Sequence, residues 1–183
     1  MALKRTSSPI AISTTSQLTT DPAAAQFVSK SIDLQLNPLD NEVFVVTALK
    51  IDFEDGMPIP FIAAPGAFKL NQKLSISTTA QTSYSGISAS NVLGASGLSY
   101  YLLADTVNNF FLYEMQEDNA MDTPPADQEY IGIIATNDFF VNYACSDTLA
   151  VQTLNANIRV YGYRAKADAS TYAALVQSEV LSS

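Results

Sequence analysis

The residue types available for catalysis are restricted, because the chain contains no histidine. Ser-His-Asp and Cys-His nucleophilic sets and imidazole-ligated metal sites all need histidine, so this chain cannot form them. The glycine-containing stretch Gly94–Gly97 lacks the lysine and the helix that follow a phosphate-binding loop, so a flexible loop is the simpler interpretation. The one cysteine, Cys145, cannot form an internal disulfide, and we expect it to be a small buried apolar side chain.

Carboxylates are the remaining groups that could bind a metal. The acidic stretch from Glu114 to Glu129 contains no lysine or arginine. Hard oxygen donors suit calcium, and the candidate ligands in this stretch are Glu117, Asp118 and Asp122. The spacing does not match an EF-hand, because the central glycine and the alternating acids are missing. A solvated acidic loop is therefore preferred, and no metal or other cofactor is predicted.

Paired carboxylates also leave glycosidase chemistry open by residue type alone. The chain has no tryptophan to form a sugar-stacking platform, although its nine tyrosines could partly replace one. With no catalytic set beyond these acids, we predict that the protein is not an enzyme.

The basic residues are confined to the two ends of the chain. Nine acids and no bases lie between Leu74 and Ile158. The last strand-like stretch, NIRVYGYR, places its first arginine and two tyrosines on one face, a composition typical of interfaces. It therefore predicts a subunit contact that faces the acidic middle of a neighbouring subunit and is formed by Arg159, Tyr161, Tyr163 and Arg164. The alternative is an ordinary last strand whose arginine is solvated.

The elements that carry these residues show period-two alternation of apolar and polar side chains. SIDLQL, from Ser31 to Leu36, is one such stretch, and most of the others are bounded by Asn, Asp, Ser or Pro. Roughly eight to ten strands result, without strand–helix–strand alternation. The pattern predicts an all-β protein, an antiparallel β-sandwich of the jelly-roll type.

Two terminal segments depart from this pattern. Residues 1–30 are rich in Ser, Thr, Ala and Gln and contain two prolines, which predicts an extended N-terminal arm before a sandwich domain at 31–167. Residues 168–183 have helical periodicity, with Asp168 or Ser170 as the cap and an apolar stripe of Tyr172, Leu175 and Val176. About three turns are too few for a stable isolated helix, so this short C-terminal helix must dock on the domain.

Charge and hydropathy restrict the partners. The net charge of −9 repels phosphate backbones, so no direct binding to nucleic acid is predicted. No apolar run is long enough to span a membrane, and none at the start resembles a signal peptide. The apolar residues of the proline-rich stretch 57–68 favour contacts with other proteins.

In size, strand count, polar loops and flanking segments, the chain resembles the small jelly-roll proteins of virus particles. These are the single-barrel capsid subunits of tailless viruses of bacteria and archaea, and the β-sandwich cement proteins of tailed phages. The resemblance implies a structural protein of the virion that forms homo-oligomers such as trimers and binds other capsid proteins. It also implies that the arm, Met1–Lys30, reaches a neighbour, so a chain lacking residues 1–29 should fold but assemble less well.

A second hypothesis belongs to a different class, a carbohydrate-binding or adhesin-like module of a cell surface. The tyrosines that could stack on sugars are Tyr84, Tyr100, Tyr101, Tyr130 and Tyr143. The acidic loop could then hold calcium. The missing tryptophan and the missing signal peptide count against this hypothesis.

Overall fold

The computed structural model describes residues 3–21, 23–54, 66–105, 110–118, 121–124, 128–147 and 153–181. The side chains of 66–68, 102–105, 110–118, 121–122 and 147 fall outside this description. The described elements are, in order, β1 (Lys4–Arg5), β2 (Ile10–Thr19), β3 (Gln26–Asp33), a 3-10 turn (Pro38–Asp40), β4 (Glu42–Phe53), β5 (Gly66–Ser77), β6 (Val92–Asp105), β7 (Phe110–Asp118), β8 (Met121–Asp122), β9 (Gly132–Ile134), β10 (Asp138–Asp147), β11 (Thr153–Lys166) and α1 (Ala169–Leu181).

The strands form two sheets in which all the paired strands are antiparallel. In sheet 1, β11 and β4 are central, β1 and β2 pair with the outer edge of β11, and β8 and β9 pair with the outer edge of β4. Sheet 2 has the order β3–β10–β5–β6–β7.

This strand order is that of a jelly roll. The chain passes from sheet 1 to sheet 2 between β2 and β3, between β4 and β5, and between β9 and β10. The last strand, β11, then returns to lie between β2 and β4. A jelly-roll sandwich has eight strands in two antiparallel sheets of four. Here these sheets are β2–β11–β4–β9 and β3–β10–β5–β6, and β1, β7 and β8 are added to them. The predicted fold class is confirmed.

The main core lies between the sheets and follows from the alternation in each strand. In β4, Leu49, Ile51 and Phe53 point inward and are buried, while Lys50 and Asp52 point outward and are exposed. Sheet 2 contributes buried apolar side chains from β5, β6 and β10 to the same cluster. Full burial of one such side chain contributes about 1.5–3 kcal/mol. The alternating pattern therefore decides which residues remain on the outer face of each sheet.

A second, smaller cluster covers the first half of β4 on its outer side. Val43 and Val45 are fully buried there, and the helix α1 packs on them with the predicted stripe of Tyr172, Leu175 and Val176. The prediction that this helix docks on the domain is confirmed. In the described part of the chain, no helix has the length and apolar character needed to cross a bilayer.

The N-terminal segment predicted as an arm supplies strands to both sheets. The register of β2 with β11 runs from Ile10 opposite Gly162 to Thr19 opposite Thr153, and β3 begins at Gln26. The predicted boundary at residue 30 therefore falls inside β3. The polar composition concealed these strands because β2 is an edge strand with one solvated face. Ser13, Thr15, Gln17 and Thr19 are exposed on that face, while Ser16 and Leu18 are buried on the other.

Candidate contact site on the outer face of sheet 1

The outward side chains of β2, β11 and β4 form rows across sheet 1, because the three strands are paired in register. Each row has the β11 residue in the centre, a β2 residue on one side and, on the other, a residue of β4 or, in the last row, Glu54 directly after it. From the end near α1, the rows are Ala11–Tyr161–Ala48, Ser13–Arg159–Lys50, Thr15–Asn157–Asp52 and Gln17–Asn155–Glu54. This four-row surface is called the outer face.

Hydrogen bonds between side chains hold the last two rows. Thr15 Oγ1 donates to Asn157 Oδ1 at 2.9 Å, and Gln17 Nε2 donates to Asn155 Oδ1 at 3.2 Å. Both asparagines then donate to the Glu54 carboxylate, from Asn157 Nδ2 at 2.7 Å and from Asn155 Nδ2 at 3.0 Å. These two hydrogen bonds, that from Asn157 first, lower the pKa of Glu54 below its usual value. The carboxylate of Glu54 is therefore held by amide groups.

The second row carries two cations. Arg159 Nε donates to Ser13 Oγ at 3.0 Å, and Lys50 is the direct cross-strand partner of Arg159 on the other side. In the part of the chain that the structure describes, neither cation has a carboxylate within 4 Å. These residues line a shallow depression of about 390 Å³ to which Asp52 and Asn157 also contribute.

The first row places a half-buried tyrosine between two small residues. Tyr161 has Ala11 and Ala48 as its cross-strand neighbours. Arg159, two residues earlier on the same strand, projects from the same face. An aromatic ring beside an arginine is a composition enriched in protein interfaces.

The other two residues of the predicted contact are engaged within the subunit. Tyr163 packs in the cluster under α1, and Arg5 Cζ lies 4.6 Å from its ring centroid. Arg164 Nη2 donates to the Leu34 carbonyl at 2.9 Å, and Nη1 lies 3.5 Å from Glu42 Oε2. The structure does not group Arg164 with Arg159, because strand alternation directs residue 164 to the side opposite residues 159, 161 and 163.

For the three predicted metal ligands, the structure gives only the backbone positions. Glu117 and Asp118 end β7, and Asp122 ends β8, but their side chains lie outside the described set. Among the side chains that are described, no group of three or more acids or cysteines is arranged to hold a metal ion. Most of the apolar stretch, 57–65, also lies outside the described residues.

Two of the five tyrosines proposed for sugar stacking lie in the main core. Tyr100 and Tyr143 are buried in the main core, and Tyr143 donates its hydroxyl hydrogen to Gln72 Oε1 there. Burial raises the pKa of the Tyr143 phenol above its ordinary value. The prediction was wrong for these two residues, because the apolar alternation around them does not show which face of their strands points into the core. Cys145 is buried in the same core, as predicted.

No protein-family model matches the sequence. No curated protein matches it significantly.

The chain is similar in structure to several viral proteins. For the VP1 protein of Trichodysplasia spinulosa-associated polyomavirus, the TM-score is 0.37 at 8% identity, over 92% of this chain and all of the other. For an unassembled pentamer of Merkel cell polyomavirus VP1, it is 0.33 at 9% identity, over 78% of each chain. For Desmodium yellow mottle tymovirus, it is 0.25 at 12% identity, over 90% of this chain and 93% of the other.

Proposed function

We propose that this chain is a structural protein of the virion, a shell or cement subunit that assembles with copies of itself and with other capsid proteins. The observation that carries the proposal is the strand order of the two sheets. Eight-stranded double-sheet jelly rolls include viral capsid domains, lectin domains and cupins. The support is an analogy of fold, so the chemistry of the surface must decide among these classes.

The surface chemistry favours the capsid class. A chain without histidine cannot form an imidazole-ligated metal site. The hypothesis of sugar stacking loses two of its candidate residues, because Tyr100 and Tyr143 are buried. The outer face of sheet 1, in contrast, presents Arg159 and Tyr161 side by side on paired strands. We assign the subunit contact to this face, with Tyr163 supporting its edge and Arg164 acting within the subunit.

Assembly of the purified chain tests this function. We expect light scattering to show a trimer or larger ring that forms as the concentration rises, with closed or shell-like particles in electron micrographs. Tyr161→Ser should weaken that assembly, while Tyr101→Ser, on sheet 2, provides the matched control. A chain that stays monomeric over the whole accessible concentration range contradicts the proposal. Detection of the chain by mass spectrometry of purified virions would support it directly.

One observation favours the carbohydrate-binding alternative. A depression of about 270 Å³ on sheet 2 is lined by Tyr84, Lys73 and Ile87, and Ile87 is exposed. Tyrosine rings at the surface can stack on sugars, and glycan-array binding by a monomer, lost in Tyr84→Ser, would favour this second function over the first.

A further inference from the structure

Two like charges face each other on the outer face of sheet 1. Lys50 and Arg159 are direct Cα partners in the antiparallel pairing of β4 with β11, and both side chains are exposed. Like charges that lie directly opposite on neighbouring strands destabilise a sheet. The isolated subunit therefore carries an unfavourable interaction at this place, although acids outnumber bases by 18 to 9 in the chain.

The acids of the same face do not neutralise this pair. Asp52 lies in the next row, opposite Asn157, and does not come within 4 Å of either cation. Glu54 is one row further away and accepts hydrogen bonds from two asparagines. Lys30 adds a third cation at the edge, since its Nζ donates to Thr14 Oγ1 and to the Thr15 carbonyl. The described charges around the depression are therefore positive in sum.

The geometry of the pair suits a carboxylate. The hydrogen bond from Arg159 Nε to Ser13 Oγ orients the guanidinium, and its two terminal nitrogens have no acceptor among the described residues. A guanidinium presents parallel N–H groups that bind both oxygens of a carboxylate, and an ammonium group adds a compact charge beside it. The depression of about 390 Å³ between them has room for an acidic side chain.

We propose that Lys50 and Arg159 form a site for a carboxylate of a second copy of this chain. The charge distribution identifies the occupant, because residues 74–158 carry nine acids and no base. Complementary charges of this kind fix the register of two subunits and speed their encounter. The inference rests on the proposed function, since it names the partner of the same outer face.

A zero-length carbodiimide cross-link tests the site directly, because it joins a lysine amine to a carboxylate that touches it. Copies labelled with ¹⁴N and ¹⁵N are mixed before cross-linking, so that links between copies are separated by mass. We expect Lys50 to be joined to an acid of residues 74–158 in the other copy. Lys73, on sheet 2, is the control and should give no such link. An assembled protein in which Lys50 is linked only within its own copy, or not at all, overturns the proposal.

Charge variants provide the second measurement. Lys50→Gln combined with Arg159→Gln should raise the apparent dissociation constant of assembly by about tenfold and flatten its dependence on sodium chloride. The melting temperature should not fall, because the repulsion between the two cations is removed. Asp52→Asn, which removes the competing acid of the depression, should change assembly in the opposite direction. If the glutamine variant assembles like the wild type, with the same salt dependence, the carboxylate site is refuted.

The outcomes separate this site from the proposed function. Assembly that is insensitive to the glutamine substitutions overturns the site and leaves the structural role intact. A wild-type chain that never assembles overturns the structural role itself. Binding of an acidic oligosaccharide to a monomer, abolished by the same substitutions, would overturn the second copy as the occupant.

Discussion

The Glu179 carboxylate accepts the backbone N–H of Ala135 at 2.9 Å through Oε1, and its second oxygen accepts the N–H of Thr136 at 3.0 Å. Glu179 is only 6% exposed, although it belongs to a surface helix. The two amides belong to the connection between β9 and β10. One acid thus joins α1 to the end of the sandwich, while the next residue, Val180, is 62% exposed.

Removal of this carboxylate should release the helix. Glu179→Ala leaves the Ala135 and Thr136 amides without their acceptor, and each unsatisfied buried group costs about 1–3 kcal/mol. We expect faster hydrogen exchange and earlier proteolysis within 169–181, with a lower melting temperature. Gln177→Ala, on the exposed side of the same helix, is the control. Equal exchange in the two variants would mean that the apolar stripe alone holds the helix.

Gly162 is needed because β4 approaches it closely. A Cβ at this position would lie 2.3 Å from the Val45 carbonyl oxygen and 2.6 Å from the Phe44 ring, next to a register irregularity in the pairing of β11 with β4. Overpacking of this kind typically costs about 1–3 kcal/mol, so Gly162→Ala should lower the urea midpoint accordingly. Gly97→Ala is the matched control, since its Cβ would meet the Gln72 carbonyl at an ordinary 3.5 Å. Similar midpoints for both variants would contradict the close approach.

Asp168 makes the docking of α1 sensitive to acid. Hydrogen bonds from Ser170 Oγ, and from the amide and hydroxyl of Thr171, lower the pKa of Asp168 from 3.8 to about 2. Because the folded-state pKa lies below the unfolded value, the stabilisation is complete above pH 3.8 and is lost as the pH falls through about 2. Melting curves should show this loss in the wild type but not in Asp168→Asn, which keeps an oxygen acceptor that does not titrate. Parallel acid profiles of the two proteins would exclude the effect.

The alternation of side chains predicted the parts of the fold in which one face is apolar. The second half of β4 and the centre of β11 have buried and exposed residues at the expected positions, so the outward direction of Arg159 and Tyr161 follows from the sequence. The stretch Gly94–Gly97, predicted as a flexible loop, lies instead within β6. Its small residues conceal the alternation, because it contains no large apolar side chain.

The register between distant strands could not be predicted. Lys50 and Arg159 are far apart in the sequence, and neither position alone indicates that they are paired. The same is true of Glu179, whose amide partners lie in another segment of the chain. Both relationships depend on tertiary pairing, which local periodicity does not determine.

The strands β1 and β2 and the first part of β3 lie in the segment that the sequence predicted as an extended arm. Deletion of residues 1–29 would remove β1, β2 and the first half of β3, exposing inward positions of β11 and the main core that Leu18 covers. In contrast to the arm hypothesis, we expect this truncated chain to lose cooperative unfolding, because an edge of each sheet and part of the core are gone. Deletion of residues 1 and 2 leaves Leu3, β1 and β2 in place and should melt like the full chain. A cooperative transition in the longer deletion, measured by circular dichroism, would show that the sandwich folds without β2 and would restore the arm hypothesis.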